Sequence, residues 1–282
     1  MSPFQLFSRS LAVLTLCAAP VLSAPVETGA LSSPRLPSLE VPRAKIAPLV
    51  SADVLDPAWR QSARLETLGL ALGEGSKGLA PLPTQVLAQW DEKFLYVRFV
   101  CKDAAIYAPF TARDSTVYQG DCAEVFLDVV GDGRQVVELQ LSPSGGIFDQ
   151  QILLTTEARY DENLVLTNEV LSRDFWTDLG WNMKDLKTAY SLTKTGWIAD
   201  FAIPAEAILR RRGLKTFEPM TIRANFLRYD WAPDNTDAWG IKDATGQKRR
   251  LNAHNWAPVK HGSPHISPAA MGFLKLVEVN NR

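Results

Sequence analysis

In the stretch Trp90-Asp91-Glu92-Lys93-Phe94-Leu95-Tyr96-Val97, the polar triplet Asp91-Glu92-Lys93 separates two runs of alternating side chains. Before it, Val86, Ala88 and Trp90 alternate with Leu87 and Gln89. After it, Leu95, Val97, Phe99 and Cys101 alternate with Tyr96, Arg98 and Lys102. Period-two alternation sends successive side chains to opposite faces, so these residues predict a hairpin with one apolar side and one more polar side.

The same pattern recurs outward from this hairpin. Ala123 to Val130 reads as a strand closed by the turn Gly131-Asp132-Gly133. Val137, Leu139 and Leu141 alternate with Glu138 and Gln140 before Ser142-Pro143-Ser144-Gly145-Gly146. Trp197 to Ile203 follows the turn Lys194-Thr195-Gly196, and Ile222 to Tyr229 and Phe273 to Val279 complete the set. One helix is predicted, Ala205 to Arg212, entered after Pro204 and stopped by Gly213. Asp230 to Pro268, rich in Asp, Asn, Gly, Pro and His, reads as irregular. Many short strands with one minor helix predict an all-β chain, a single antiparallel β-sandwich of jelly-roll-like kind, from about residue 46 to 279.

The 282 residues are 46% hydrophobic, enough to bury a sizeable core. Thirty basic residues against thirty-one acidic ones leave a net charge of -1, without the basic excess that nucleic acid or anionic lipid demands. Arg210-Arg211-Arg212 reads as a solvated helix end that favours its own dipole. At the N-terminus, Arg9, the apolar Leu11 to Ala19 and the small residues of Val21-Leu22-Ser23-Ala24 read as a signal peptide over 1–24. The apolar run falls short of the roughly twenty residues that span a bilayer, so no transmembrane segment is expected and the protein is exported, periplasmic or secreted. Leu16 before Cys17 argues against lipidation there. Residues 25–45, rich in Pro, Ser and Ala, read as a flexible linker. Cys101 and Cys122 then remain, either as a disulfide or as two buried thiols.

No catalytic motif is present: there is no nucleophile elbow, zinc-protease helix or phosphate loop. His254, His261 and His265 share the irregular segment, with no spacing that sets them on one face. Glu124 and Glu138 could lie on the polar face of adjacent strands, either as a glycosidase pair or as two solvated carboxylates. Asn225 shares the polar face of its strand with Arg223 and Tyr229, where it could reach a sugar hydroxyl or water.

Leu55-Asp56-Pro57-Ala58-Trp59, the Trp90 hairpin, Asp121-Cys122-Ala123-Glu124-Val125-Phe126-Leu127-Asp128, Thr195-Gly196-Trp197-Ile198-Ala199-Asp200-Phe201-Ala202-Ile203-Pro204 and Gly272-Phe273-Leu274-Lys275-Leu276 occur in one order. In that order and rough spacing the chain resembles the family 9 carbohydrate-binding module, over roughly Ile46 to Val279. The resemblance implies a non-catalytic protein that grips poly- or oligosaccharide chain ends between two aromatic rings. It places Tyr118 as one ring, Glu124 as a polar ligand residue, and His265, or alternatively Trp256, as the second wall. At Glu138 the best-known members carry a basic residue, which departs from reducing-end recognition. Ala52-Asp53 stands where the family has Asp-Gly. The resemblance also implies structural calcium, glycan-degrading partner enzymes, structural roles for Trp197 and Trp239 in the core, and an anchoring role for Trp59. Two alternatives stay open: a glycan-active hydrolase or its accessory subunit, and a haem-binding extracellular sandwich. For the latter, Met183, Met220 and Met271 show no ligand pattern.

Overall fold

The computed structural model describes residues 36–70, 83–154, 175–236, 239–257 and 271–279. The described chain opens with β1 (Ser38–Pro42), β2 (Ala63–Leu65) and β3 (Gly69–Leu70), followed by the hairpin β4 (Thr84–Trp90) and β5 (Phe94–Lys102). Next come β6 (Cys122–Asp128), β7 (Gln135–Leu141), β8 (Ile147–Leu154) and β9 (Phe175–Asp178). β10 (Lys187–Thr193) and β11 (Gly196–Pro204) lead into α1 (Ala205–Ile208). β12 (Met220–Pro233), β13 (Ile241–Lys242), β14 (Lys248–Asn255) and β15 (Gly272–Val277) complete the described elements.

Two sheets result. The larger runs β1-β15-β12-β6-β7-β8-β9, with β14 also on β12 and joined by β13 and β3. The smaller runs β10-β11-β5-β4-β2. Every named pairing is antiparallel except β1 with β15. The long β12 makes this possible: its first half pairs β15 and its second half β14, while β6 lies along its other edge.

The alternation read from the sequence points into the space between the sheets. Val97, Phe99, Trp197 and Phe201 come from one side and Val125, Leu127, Leu139 and Phe226 from the other, all in one buried cluster. The Phe99 ring meets Phe201 and Phe226 edge-on, at centroid distances of 6.1 and 6.0 Å. The β4–β5 turn is closed by Asp91, whose Oδ1 accepts from the Lys93 and Phe94 amides and whose Oδ2 accepts from the Tyr96 hydroxyl. The helix begins after Pro204 as predicted. It makes a single α-turn and tightens to 3-10 geometry over Leu209–Arg212, and Gly213 stops it at φ 70°.

Several expectations are corrected. The fold starts before Ile46, because Ser38–Pro42 within the expected linker forms β1 and buries Val41. Five residues ending in proline carry too little periodicity to announce a strand, and pairing with β15 supplies the missing order. Likewise β13 and β14 lie in the stretch read as irregular. Of the two readings left open for Cys101 and Cys122, two buried free thiols is the one found. Cys101 belongs to the core between the sheets and Cys122 to a cluster on the outer face of β6, so the two cannot meet. Trp239 is not a core residue: it is 75% exposed and leans on Trp231.

The more polar side of the smaller sheet is also buried. There Asp200 holds the Arg98 guanidinium through two bonds of 2.7 Å and accepts from the Ala52 amide at 2.8 Å. Arg98 donates to the Asp53 carbonyl and lies 4.6 Å from the Trp59 ring, so Trp59 anchors the segment that covers this face.

Candidate functional site

On the larger sheet, residues that do not point into the core form an outer face. Register decides which of them meet. Glu124 stands opposite Gln140, and Phe126 opposite Glu138. Glu138 in turn faces Gln150, Gln140 faces Phe148, and Tyr229 faces Cys122. A cleft of about 380 Å³ opens here, lined by Tyr118, Glu138, Gln140, Phe148, Gln150 and Tyr229 among others.

Tyr118 comes from the 3-10 turn Val117–Gln119, which the strands alone would not hold. Asp121 secures it by accepting from the Tyr107 and Trp231 amides, and the Trp231 indole N–H donates to the Tyr118 carbonyl. The Tyr118 ring meets Phe148 edge-on at 6.2 Å and stays 39% exposed. One wall of the cleft is therefore aromatic.

The floor is polar and buried. Glu138 accepts from Gln140 Nε2 at 2.6 Å and from Gln150 Nε2 through its other oxygen. Glu124 accepts from the Cys122 thiol at 3.3 Å. Both glutamates are only 1% exposed, so neither is the solvated strand carboxylate that one sequence reading offered. Burial, and then the neighbouring Glu138, push the Glu124 carboxyl well above its ordinary 4.5. The folded protein thus keeps a proton that the unfolded chain releases above pH 4.5. Stability from this group is full below that pH and lost as pH rises through the folded value. Urea midpoints are accordingly expected to fall with rising pH in wild type and to fall less steeply in Glu124→Gln. Identical slopes would remove Glu124 as the source.

Of the other sequence-predicted site residues, Asn225 and Trp256 are engaged in contacts within the chain. Asn225 is on the same outer face, but its amide clamps the Ala257 backbone: Nδ2 donates to the carbonyl at 3.1 Å and Oδ1 accepts from the amide at 2.9 Å. Trp256 is turned inward, 5.6 Å from the Phe226 ring and against Gly272, so it is core packing rather than a second wall. His265 and His261 lie outside the described residues. Gln140, Phe148, Gln150 and Tyr229 were missed as site residues, although Glu138-Leu139-Gln140 and Phe148 to Ile152 do alternate.

A second polar cluster lies at one end of the interior. Carboxylate oxygens of Asp103, Asp121 and Asp230 lie within 4.8 Å of one another. The buried Arg228 guanidinium donates to Asp103 Oδ2 at 3.0 Å and to Asp230 Oδ1 at 3.4 Å, while Asp230 Oδ2 meets no donor. Three carboxylates against one guanidinium leave the cluster short of positive charge. An oxygen-only donor set with an orphaned oxygen fits a hard divalent cation such as calcium. For the haem alternative, Met183 and Met271 pack in two different clusters, so these two do not share a site. His254 is buried beside Arg228, and burial and that positive charge push its imidazole down to about 4.

An aromatic wall over a buried polar floor on the face of a β-sandwich defines a small-ligand-binding module. Residues 50–278 match the family model described as "Carbohydrate family 9 binding domain-like", and the chain belongs to that family. No curated protein matches the chain. Among solved structures, a protein from Bacteroides uniformis named as a candidate carbohydrate-binding protein is similar at a TM-score of 0.58 and 15% identity, over 86% of this chain and 100% of that one. A family 9 carbohydrate-binding module from Caldicellulosiruptor kristjanssonii, in complex with cellotriose, is similar at a TM-score of 0.53 and 15% identity, over 86% of this chain and 95% of that one. At such identities the likeness is one of fold. Among the described residues, no helix is long and apolar enough to cross a membrane.

Proposed function

We propose that this chain is an exported, non-catalytic protein that binds a poly- or oligosaccharide in the Tyr118 cleft. Family membership supports the ligand class, and one observation carries the site: the exposed Tyr118 ring stands beside buried carboxylate and amide groups in a single cleft. Aromatic faces suit the C–H face of a pyranose, and the polar floor suits its hydroxyls. The volume is near the low end of the roughly 300–1,000 Å³ usual for small-ligand sites, which favours a terminal sugar unit over a long stretch of chain. Of Glu124 and Glu138 only Glu138 lines the cleft, whereas glycoside hydrolysis needs two carboxyls flanking the bond, so the pair supports binding rather than cleavage. Exported glycan-degrading enzymes are the partners this reading implies. Titration calorimetry with a panel of soluble oligosaccharides tests it: saturable heat for at least one class is expected, and no heat across the panel would sink it.

The reading also expects cleavage near Ser23 and Ala24. N-terminal sequencing of the exported protein should begin between about Ala24 and Val26. A product beginning at Met1 would refute export by this signal.

For the Asp103, Asp121 and Asp230 cluster the reading assigns a structural calcium ion. An ion at a hundred times its dissociation constant adds about 2.7 kcal/mol. Chelation is therefore expected to lower the melting temperature by several degrees, and calcium to restore it. Identical melting curves with chelator and with added calcium would exclude the ion.

A further inference from the structure

The segment that leaves β9 walls two cavities in succession. Thr177 and Leu179 line the Tyr118 cleft. Trp181, Asn182, Lys184 and Asp185 then line a second cavity of about 290 Å³, together with Glu206 of α1 and Arg210 of the turn after it. Leu179 and Trp181 are two residues apart, so their Cα atoms lie within about 7 Å of each other. Leu179 itself is 56% exposed. The segment is held from within the fold. Buried Asp149 accepts from the Met183 amide at 2.6 Å and holds the Arg113 guanidinium, which also donates to Asn182. Asp185 stands at φ 62°, a left-handed conformation that aspartate tolerates better than most residues. Trp181 is backed by the core between the sheets while lining the cavity. The wall is therefore set before a ligand arrives, which spares the cost of ordering it on binding.

We propose that the Trp181 cavity is a second subsite for a neutral oligosaccharide, taking a further unit of the chain whose end lies in the Tyr118 cleft. This rests on the carbohydrate reading of the cleft and adds to it where the rest of the chain runs. Lys184 and Arg210 bring donors to the cavity, and Asp185 and Glu206 bring acceptors. Among the described residues, no hydrogen bond or ion pair engages these four side chains. Their charges balance, so the cavity exerts no net pull on an anionic or a cationic unit. A neutral sugar uses both kinds of group, because each hydroxyl donates and accepts. Its C–H face suits the indole of Trp181. The volume lies at the lower bound of roughly 300 Å³ for small-ligand sites, which matches a single unit of the chain.

Calorimetry on the full chain tests this with neutral gluco-, manno- and xylo-oligosaccharides, each from monosaccharide to hexasaccharide. In a series that binds, affinity is expected to rise at least about tenfold from the shortest ligand bound to the longest. Trp181→Ala should remove most of that rise and leave the affinity for the shortest ligand unchanged. Tyr118→Ala, by contrast, should lower affinity at every length. Because the Trp181 indole also packs on the core, a melting curve checks that its variant is folded. The double variant Glu206→Ala/Arg210→Ala, at two exposed positions, carries the same expectation and decides if Trp181→Ala is unfolded. Wild-type affinity that does not rise with length, or a full rise kept in the folded variants, would overturn the second subsite and leave the Tyr118 cleft standing. No binding in any series would remove the carbohydrate reading of the cleft and the second subsite with it.

Discussion

Asp200→Ala is expected to destabilise the protein by about 3–5 kcal/mol, the range for removing one partner of a buried ion pair. For a domain of this size that lowers the melting temperature by roughly 6–20 °C. The Arg98 guanidinium is 2% exposed and depends on Asp200 for two of its bonds. Without the carboxylate, its charge stays buried beside Trp59, and the Ala52 amide loses its acceptor as well. Ala52 sits at φ 52°, a left-handed conformation that an alanine adopts only under constraint. The covering segment from Val50 to Trp59 should therefore loosen first, with faster proteolysis there than elsewhere. The double variant Arg98→Met/Asp200→Ala should recover part of the loss, because it removes the unpaired charge. Urea unfolding measures all three proteins. A loss below about 1 kcal/mol for Asp200→Ala would mean that the pair does not hold this segment down.

Tyr118→Ala should cost sugar affinity without costing the fold. Removing a stacking ring typically loses about 1–2 kcal/mol, a tenfold or larger drop in affinity. The ring is 39% exposed, and its one described ring contact is the edge-on meeting with Phe148. The bond that holds the turn uses the Tyr118 carbonyl, which alanine retains. Stability should change by under about 1 kcal/mol. Calorimetry with whichever oligosaccharide the wild type binds gives the affinity, and a melting curve gives the stability. Unchanged affinity would place the sugar elsewhere on the module.

How much of this was legible in the sequence follows from how far apart the interacting residues are. The hairpin was legible because Asp91 and its acceptor role in the turn lie within five residues of every partner. The helix stop at Gly213 was legible for the same reason. Tyr118, Glu124 and Glu138 could be singled out because they stand on or beside strongly patterned strands. The face of Asn225 was read correctly but not its partner, and Trp256 was misjudged because aromaticity alone does not say which way a residue at a strand's end turns. Here Asn225 clamps Ala257, 32 residues away, and that clamp carries Trp256 into the core.

Alternation is a local property, so the sequence by itself determined the all-β class, most of the central strands and the residues that share a face. It did not determine what each face meets. Arg98 and Asp200, 102 residues apart, turn a polar face into a buried one. β1 is a strand only because β15 lies beside it. The cleft exists because register aligns Glu124 with Gln140 and Glu138 with Gln150. Register and layer order are set by long-range pairing and burial, which no local period encodes, and so only the tertiary structure decided which side chains line the cleft.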